Sequence, residues 1–271
     1  MKKIRMNNLS ASFRDPSGFL FQQGGELYRQ VNPIYAAEFD LLMSSGLYKK
    51  LVDLGRLIPH TEVSLPGVQG AYKVLHPQKI PFISYPYEWS FQQLKDAALA
   101  TLSIQKRALK YGMSLKDASA YNIQFMDGKA VLIDTLSFEM YQEGEPWVAY
   151  RQFCQHFLAP LALMSARDVR LGQLLRIYID GIPLDLASRL LPARSQWNWG
   201  MFSHIHMHAQ AQKRYSDSSL EEVRHGRGMS KSAFTAILDD LKKTILHLKW
   251  MPAGTEWGDY YDRTNYTSKA F

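Results

Sequence analysis

The sequence is poor in cysteine. Cys154 is the single one in 271 residues, so an internal disulfide and a thiolate zinc centre are both excluded, and Cys154 reads as a core thiol. No apolar run reaches the roughly 18 residues that a membrane span needs. The early charges Lys2, Lys3 and Arg5 are followed by no apolar stretch, which is not the pattern of a secretory signal. A cytoplasmic protein is the expectation. There is no internal repeat and no low-complexity tract. A Gly-rich strand–turn–helix fingerprint for a dinucleotide or a methyl donor is also missing.

Two features are present in quantity. Hydrophobic residues make up 46% and charged residues 21%, enough to bury a substantial core. The net charge is +7 and the pI about 9.3. That balance suits phosphate-bearing ligands, nucleic acid or an acidic partner. The basic residues are scattered, however. Lys2-Lys3-Ile4-Arg5 and Lys242-Lys243 are too short for a nucleic-acid arm, so a nucleic-acid partner is not expected. Tyr, Phe and Trp reach 13% and favour an aromatic-lined pocket or partner surface.

Residues 19–22 and 27–31 flank Gln23-Gly24-Gly25-Glu26 and predict a hairpin, because two glycines accept positive φ without steric cost. Pro33 to Leu54 predicts a helical stretch. Thr61 to Tyr85 returns to strand character. Ser90 caps a helix carrying Leu94, Ala98, Leu102 and Leu109, which Gly112 ends. Residues 122–125 and 129–133 predict two short strands joined by an Asp127-Gly128 turn. From Tyr150 onward the pattern is helical, with breaks at Gly181-Ile-Pro183 and Gly226-Arg-Gly228. The chain therefore divides into a β-rich part over 1–88, a helical part with a hairpin over 89–250, and an aromatic tail over 251–271. The tail, with Glu256, Trp257, Tyr260, Tyr261 and Tyr266, is expected to dock on a neighbouring domain or partner.

One stretch carries chemistry. Asp117 sits in the loop after the long helix, Asn122 at the entrance to a strand, and Asp134 where the return strand ends in Val-Leu-Ile-Asp. Three oxygen-bearing side chains are thereby directed to one edge of a hairpin. Phosphoryl transfer uses such a set: one carboxylate for the acceptor hydroxyl, and hard oxygens for magnesium on the nucleotide phosphates.

This segment resembles the catalytic loop and metal-binding Asp of the protein-kinase and aminoglycoside-phosphotransferase superfamily. The resemblance implies an α+β, two-lobed fold with a β-rich N-lobe and a helical C-lobe. It implies ATP and Mg²⁺ as cofactors, with Asp117 as catalytic base and Asn122 and Asp134 as metal ligands. Arg29 would be the phosphate cation and Glu38 its ion-pair partner. Gly18 would belong to the loop over the phosphates, and Tyr87 and Glu88 to the inter-lobe hinge whose backbone reads adenine. The acceptor would be a small molecule or saccharide. Three positions depart from the family: Leu115 replaces a His, Thr135-Leu136 replace Phe-Gly, and Arg29 stands for a Lys, which is not equivalent on phosphate.

A second resemblance covers nearly the whole chain. Leu-Lys-Asp-Ala-Ser-Ala-Tyr-Asn, Ile-Asp-Thr-Leu-Ser-Phe-Glu and the tail are similar to the N-terminal region of bacterial SAM-dependent methyltransferase, nodulation-related proteins. This implies a methyltransferase domain or partner, with any methyl transfer lying outside these 271 residues. The alternative to an enzyme is then a non-catalytic kinase-like docking module. His204 and His208 would share a helix face, but no Glu follows His204 as a zincin motif requires, so a partly buried or interface helix is the expectation there.

Overall fold

The computed structural model describes residues 7–8, 15–209 and 228–251. The basic group at Lys2, the Gly226 break and nearly all of the aromatic tail lie outside the described residues. The chain is a mixed α+β protein, with a β-rich sheet region followed by a mainly helical part.

The sheet is five-stranded and antiparallel. It contains β1 (Asn7–Asn8), β2 (Gly18–Gln23), β3 (Glu26–Val31), β4 (His60–Glu62) and β5 (Lys73–Pro77), in the order β1-β2-β3-β5-β4. The expected hairpin joins β2 and β3, with Gly24 and Gly25 both at positive φ. Leu20, Arg29 and Leu75 lie opposite one another across β2, β3 and β5, so all three share a face. The other face stacks Phe21 on Tyr28 and Tyr28 against His76.

Two expectations are corrected. The stretch 33–54 is two helices, α1 (Ala36–Ser44) and α2 (Leu47–Asp53). They are separated at Gly46, whose left-handed φ of 83° interrupts the helix. The stretch 61–85 holds only the end of β4 and all of β5, because Pro66 and Pro81 remove donors that a ladder requires.

α3 (Phe91–Ala108) begins with a reciprocal cap: Ser90 Oγ accepts from Gln93 N, and Gln93 Oε1 accepts from Ser90 N. A 3₁₀ turn carries it to Gly112. β6 (Met113–Leu115) then pairs with β9 (Phe138–Met140), enclosing the hairpin of β7 (Ile123–Met126) and β8 (Lys129–Leu132). Asp127 and Gly128 have φ of 50° and 73°, as the I′ turn demands. Beyond lie α4 (Tyr150–Phe153), a π-helical turn at Cys154–Leu158, α5 (Ala159–Ala166), α6 (Leu174–Ile177), α7 (Leu184–Leu190), α8 (Trp199–Met201), a second π-helical turn at Phe202–His206, and α9 (Lys231–His247).

The main core joins Leu42, Leu47, Leu51 and Leu57 to Leu102, Phe153, Phe157 and Leu241. A smaller core under the sheet holds Val31, Tyr35, Phe39, Leu75 and Leu136. Leu136 follows the β7–β8 hairpin in sequence yet plugs the sheet's buried face. That packing brings the end of the hairpin against β3.

Candidate functional site

Burial fixes the start of the site. Gln105 on α3 is fully buried. Its Nε2 donates to Ser114 Oγ at 3.0 Å, and its Oε1 accepts from Leu115 N at 2.6 Å. Trp147 Nε1 donates to Leu115 O at 2.8 Å. The backbone of Leu115 is thus held on both sides. The next two residues, Lys116 and Asp117, leave β6 from a fixed point.

Asp117 Oδ1 accepts from Ser119 N at 2.9 Å. Among the described residues its second oxygen has no partner. Asn122 is held through its backbone, whose carbonyl accepts from Ile133 N at 2.8 Å. Its amide donates to Ser137 Oγ at 3.4 Å, leaving Oδ1 without a protein partner among the described residues. Asp117 and Asn122 line one cavity of about 540 Å³ together with Lys116, His156 and Asp180. Val148 and Ile179 form apolar, exposed lips.

Asp134 does not line that cavity. Its Oδ1 lies 2.7 Å from Arg29 Nη2 and accepts from Leu136 N at 2.8 Å. Arg29 Nη2 is also 3.9 Å from Asp15 Oδ2, and its buried Nε has no partner. The pair sits on the sheet's covered face, with side chains 11% and 17% exposed. Desolvation there strengthens charge pairing relative to the surface.

Three expectations change. Glu38 makes no ion pair with Arg29; Asp134 and Asp15 occupy the guanidinium instead. Glu38 instead acts on Glu139, whose pKa is raised chiefly by burial, lowered by Lys116 and raised further by Glu38. Gly18 is required by protein packing, since a Cβ there would stand 2.0 Å from Gln30 O and 2.7 Å from Leu136 Cδ1. That space is filled, so Gly18 offers no cradle to a phosphate. Tyr87 and Glu88 fall in a 3₁₀ turn opened by Pro86 rather than in an extended hinge. The Tyr87 carbonyl accepts from Gln173 Nε2, and Glu88 N donates to Tyr85 O. Two of the four backbone groups of these residues, the Tyr87 carbonyl and the Glu88 N–H, are therefore already hydrogen-bonded.

Two residues of this region escape sequence reasoning. Lys116 Nζ donates to Ser17 Oγ at 2.6 Å, lies 4.0 Å from Asp15 Oδ1 and sits 4.7 Å over the Tyr35 ring. It ties the Asp15–Ser17 loop to the segment bearing Asp117. Its place beside Asp117 was the available signal. His156 lies in a π-helical turn, a local geometry frequent at functional sites, and is 2% exposed. Burial holds its pKa down to about 4, against the raising effect of Asp180. Its Nδ1 is buried without a partner, and its ring meets Tyr121 edge-on at 6.1 Å. No sequence spacing links it to Asp117. Cys154 is buried, and burial pushes its thiol up to about 12. His204 is committed elsewhere, between Tyr150 OH at 2.6 Å and Asp240 Oδ2 at 2.9 Å.

No family model matches the chain. It is 35% identical over 272 residues to Nodulation protein NoeA of Rhizobium meliloti (strain 1021), across 97% of this chain and 56% of that protein. The chain thus spans about half the length of this relative. Among solved structures, that of vaccinia related kinase 3 aligns with a TM-score of 0.39 and 10% identity, over 92% of this chain and 88% of that one. No described helix is long and apolar enough to cross a membrane.

Proposed function

We propose that the chain is a two-lobed, kinase-like phosphotransferase that uses ATP and Mg²⁺ and acts on a hydroxyl of a small molecule or saccharide. The observation that carries this reading is the meeting of Arg29 and Asp134 at 2.7 Å, next to Asn122 and to the cavity lined by Asp117. A cation for phosphate, a carboxylate for metal and a second carboxylate for the acceptor hydroxyl are then neighbours, as phosphoryl transfer requires.

The donor set suits magnesium. One oxygen of Asp134 and one of Asn122 have no protein partner among the described residues, and this cation takes few protein oxygens and keeps waters. Bound there, it would supply charge neutralisation at the phosphates. The chain's own residues do the rest. Arg29 shares its guanidinium between Asp134 and the nucleotide. The free oxygen of Asp117 accepts the hydroxyl proton of the acceptor. The apolar lips Val148 and Ile179 limit water at the cavity mouth.

A second reading has support of its own. The Arg29–Asp134 pair neutralises both groups, Glu38 does not orient Arg29, and Gly18 is closed off by protein. These features support a non-catalytic kinase-like module, and in this reading it would dock with a SAM-dependent methyltransferase in a nodulation-related role.

Calorimetry with ATP and MgCl₂, plus turnover over a panel of sugars and aminoglycosides, separates the two. The enzyme reading expects saturable ATP–Mg²⁺ binding. Asp134→Asn should weaken that binding and cut turnover by about a thousandfold. Asp117→Asn should keep the binding and slow transfer. Absence of saturable ATP–Mg²⁺ binding by the wild type would overturn the enzyme reading and leave the docking module.

A further inference from the structure

A groove of about 550 Å³ lies at the opposite end of the β7–β8 hairpin from Asn122 and Asp134, between α3, α9 and the Gly128 turn. Its cations are Arg56, Lys106, Arg107, Lys110, Lys129 and Lys242. They converge from α3 and the 3₁₀ turn after it, from β8, from α9 and from the loop before β4, and do not lie along one line. Only Asp96 and Asp239 oppose them, and Asp239 is taken by Lys106 at 2.6 Å. Arg107, Lys110, Lys129 and Lys242 have no ion-pair partner among the described residues. Like charges held this close raise the local potential and favour an anion.

The shape and lining narrow the ligand. No aromatic ring lines the groove; its apolar wall is aliphatic, from Leu99, Leu102 and Leu238. Single-stranded nucleic acid binds over aromatic platforms on which bases stack, and none is offered here. An acidic peptide spreads its carboxylates at about 3.3 Å per residue along a line, whereas these cations surround a compact volume. We propose that this groove binds a small soluble polyanion bearing several phosphoryl groups, held by Lys110, Lys129 and Lys242 with Arg107. This site is separate from the Arg29–Asp134 region and does not depend on phosphotransfer there.

The test is calorimetry of the full chain with inositol hexakisphosphate as the probe, without magnesium or nucleotide. Saturable one-to-one binding that weakens with added salt is expected. Lys110→Glu/Lys242→Glu should lower affinity by at least about tenfold, in line with the reversal of two local positive charges. Lys50→Glu/Lys79→Glu, with the same change in net charge at exposed sites elsewhere, should leave it within about twofold. Asp134→Asn should not change it. Thermal unfolding checks that each variant folds, and Lys110→Gln/Lys242→Gln repeats the test without charge reversal. Equal losses in both charge-reversal pairs would reduce the effect to net charge and overturn the proposal. So would no saturable binding, tighter binding of a single-stranded RNA of matched charge, or binding only to vesicles containing phosphatidylinositol bisphosphate.

Discussion

Arg29 and Asp134, far apart in sequence, meet at 2.7 Å on the covered face of the sheet, each the other's main charge partner. Asp15 adds a weaker contact to Arg29 at 3.9 Å. The site region is therefore held by the same pair that would bind a nucleotide's phosphates and metal. Structure and proposed function compete for these two side chains.

Arg29→Ala leaves Asp134 largely buried with no cation. Breaking a buried pair by removing one partner costs about 3 kcal/mol, so the urea midpoint should fall markedly. Asp134→Asn should cost less, because the amide oxygen still accepts from Leu136 N and from the guanidinium. Equal stability of Arg29→Ala and wild type would show that the pair is solvent-screened.

Much of this arrangement was legible in the sequence, and the reason is local. The Gly24-Gly25 and Asp127-Gly128 turns, the Ser90 cap and the Gly112 stop are encoded by residues a few positions apart, and all four are found where the sequence predicts them. The β7–β8 hairpin between Asn122 and Asp134 was legible too, but not that Asp134 turns to Arg29 while Asp117 and Asn122 line a cavity without it. What was not legible depends on long-range packing. The partner of Arg29 is chosen by Leu136 plugging the sheet, which no nearby residue announces. The filled space at Gly18 arises from Gln30 and Leu136, and His156 reaches the cavity only through a π-helical turn.

Gly18→Ala tests that packing directly. The added Cβ would meet the Gln30 carbonyl at 2.0 Å, a backbone atom that cannot swing aside as a side chain would. β3 must shift, and Arg29 is the residue before Gln30. A loss of roughly 3 kcal/mol is expected from such overpacking. The proposed nucleotide binding should weaken in the same variant, since Arg29 moves with its strand. Wild-type stability in Gly18→Ala would mean that β2 and β3 separate freely at this edge.

The pH dependence of stability should be dominated by buried neutral histidines. His156 has its pKa held to about 4 by burial, as does His60, against an ordinary value near 6.5. The folded state therefore binds fewer protons than the unfolded state between these values, and stability rises with pH there. The contribution is complete above about 6.5 and is lost as the pH falls toward 4. At pH 5 the loss from His156 alone is about 2 kcal/mol. His156→Phe removes the titrating group and also the unpartnered buried Nδ1, whose desolvation is itself unfavourable. This variant should exceed the wild type at both pH values, and by more at pH 5 than at pH 8. Urea unfolding at both pH values reads the difference. A pH slope unchanged in His156→Phe would mean that this ring is hydrated in the cavity and titrates like an exposed histidine.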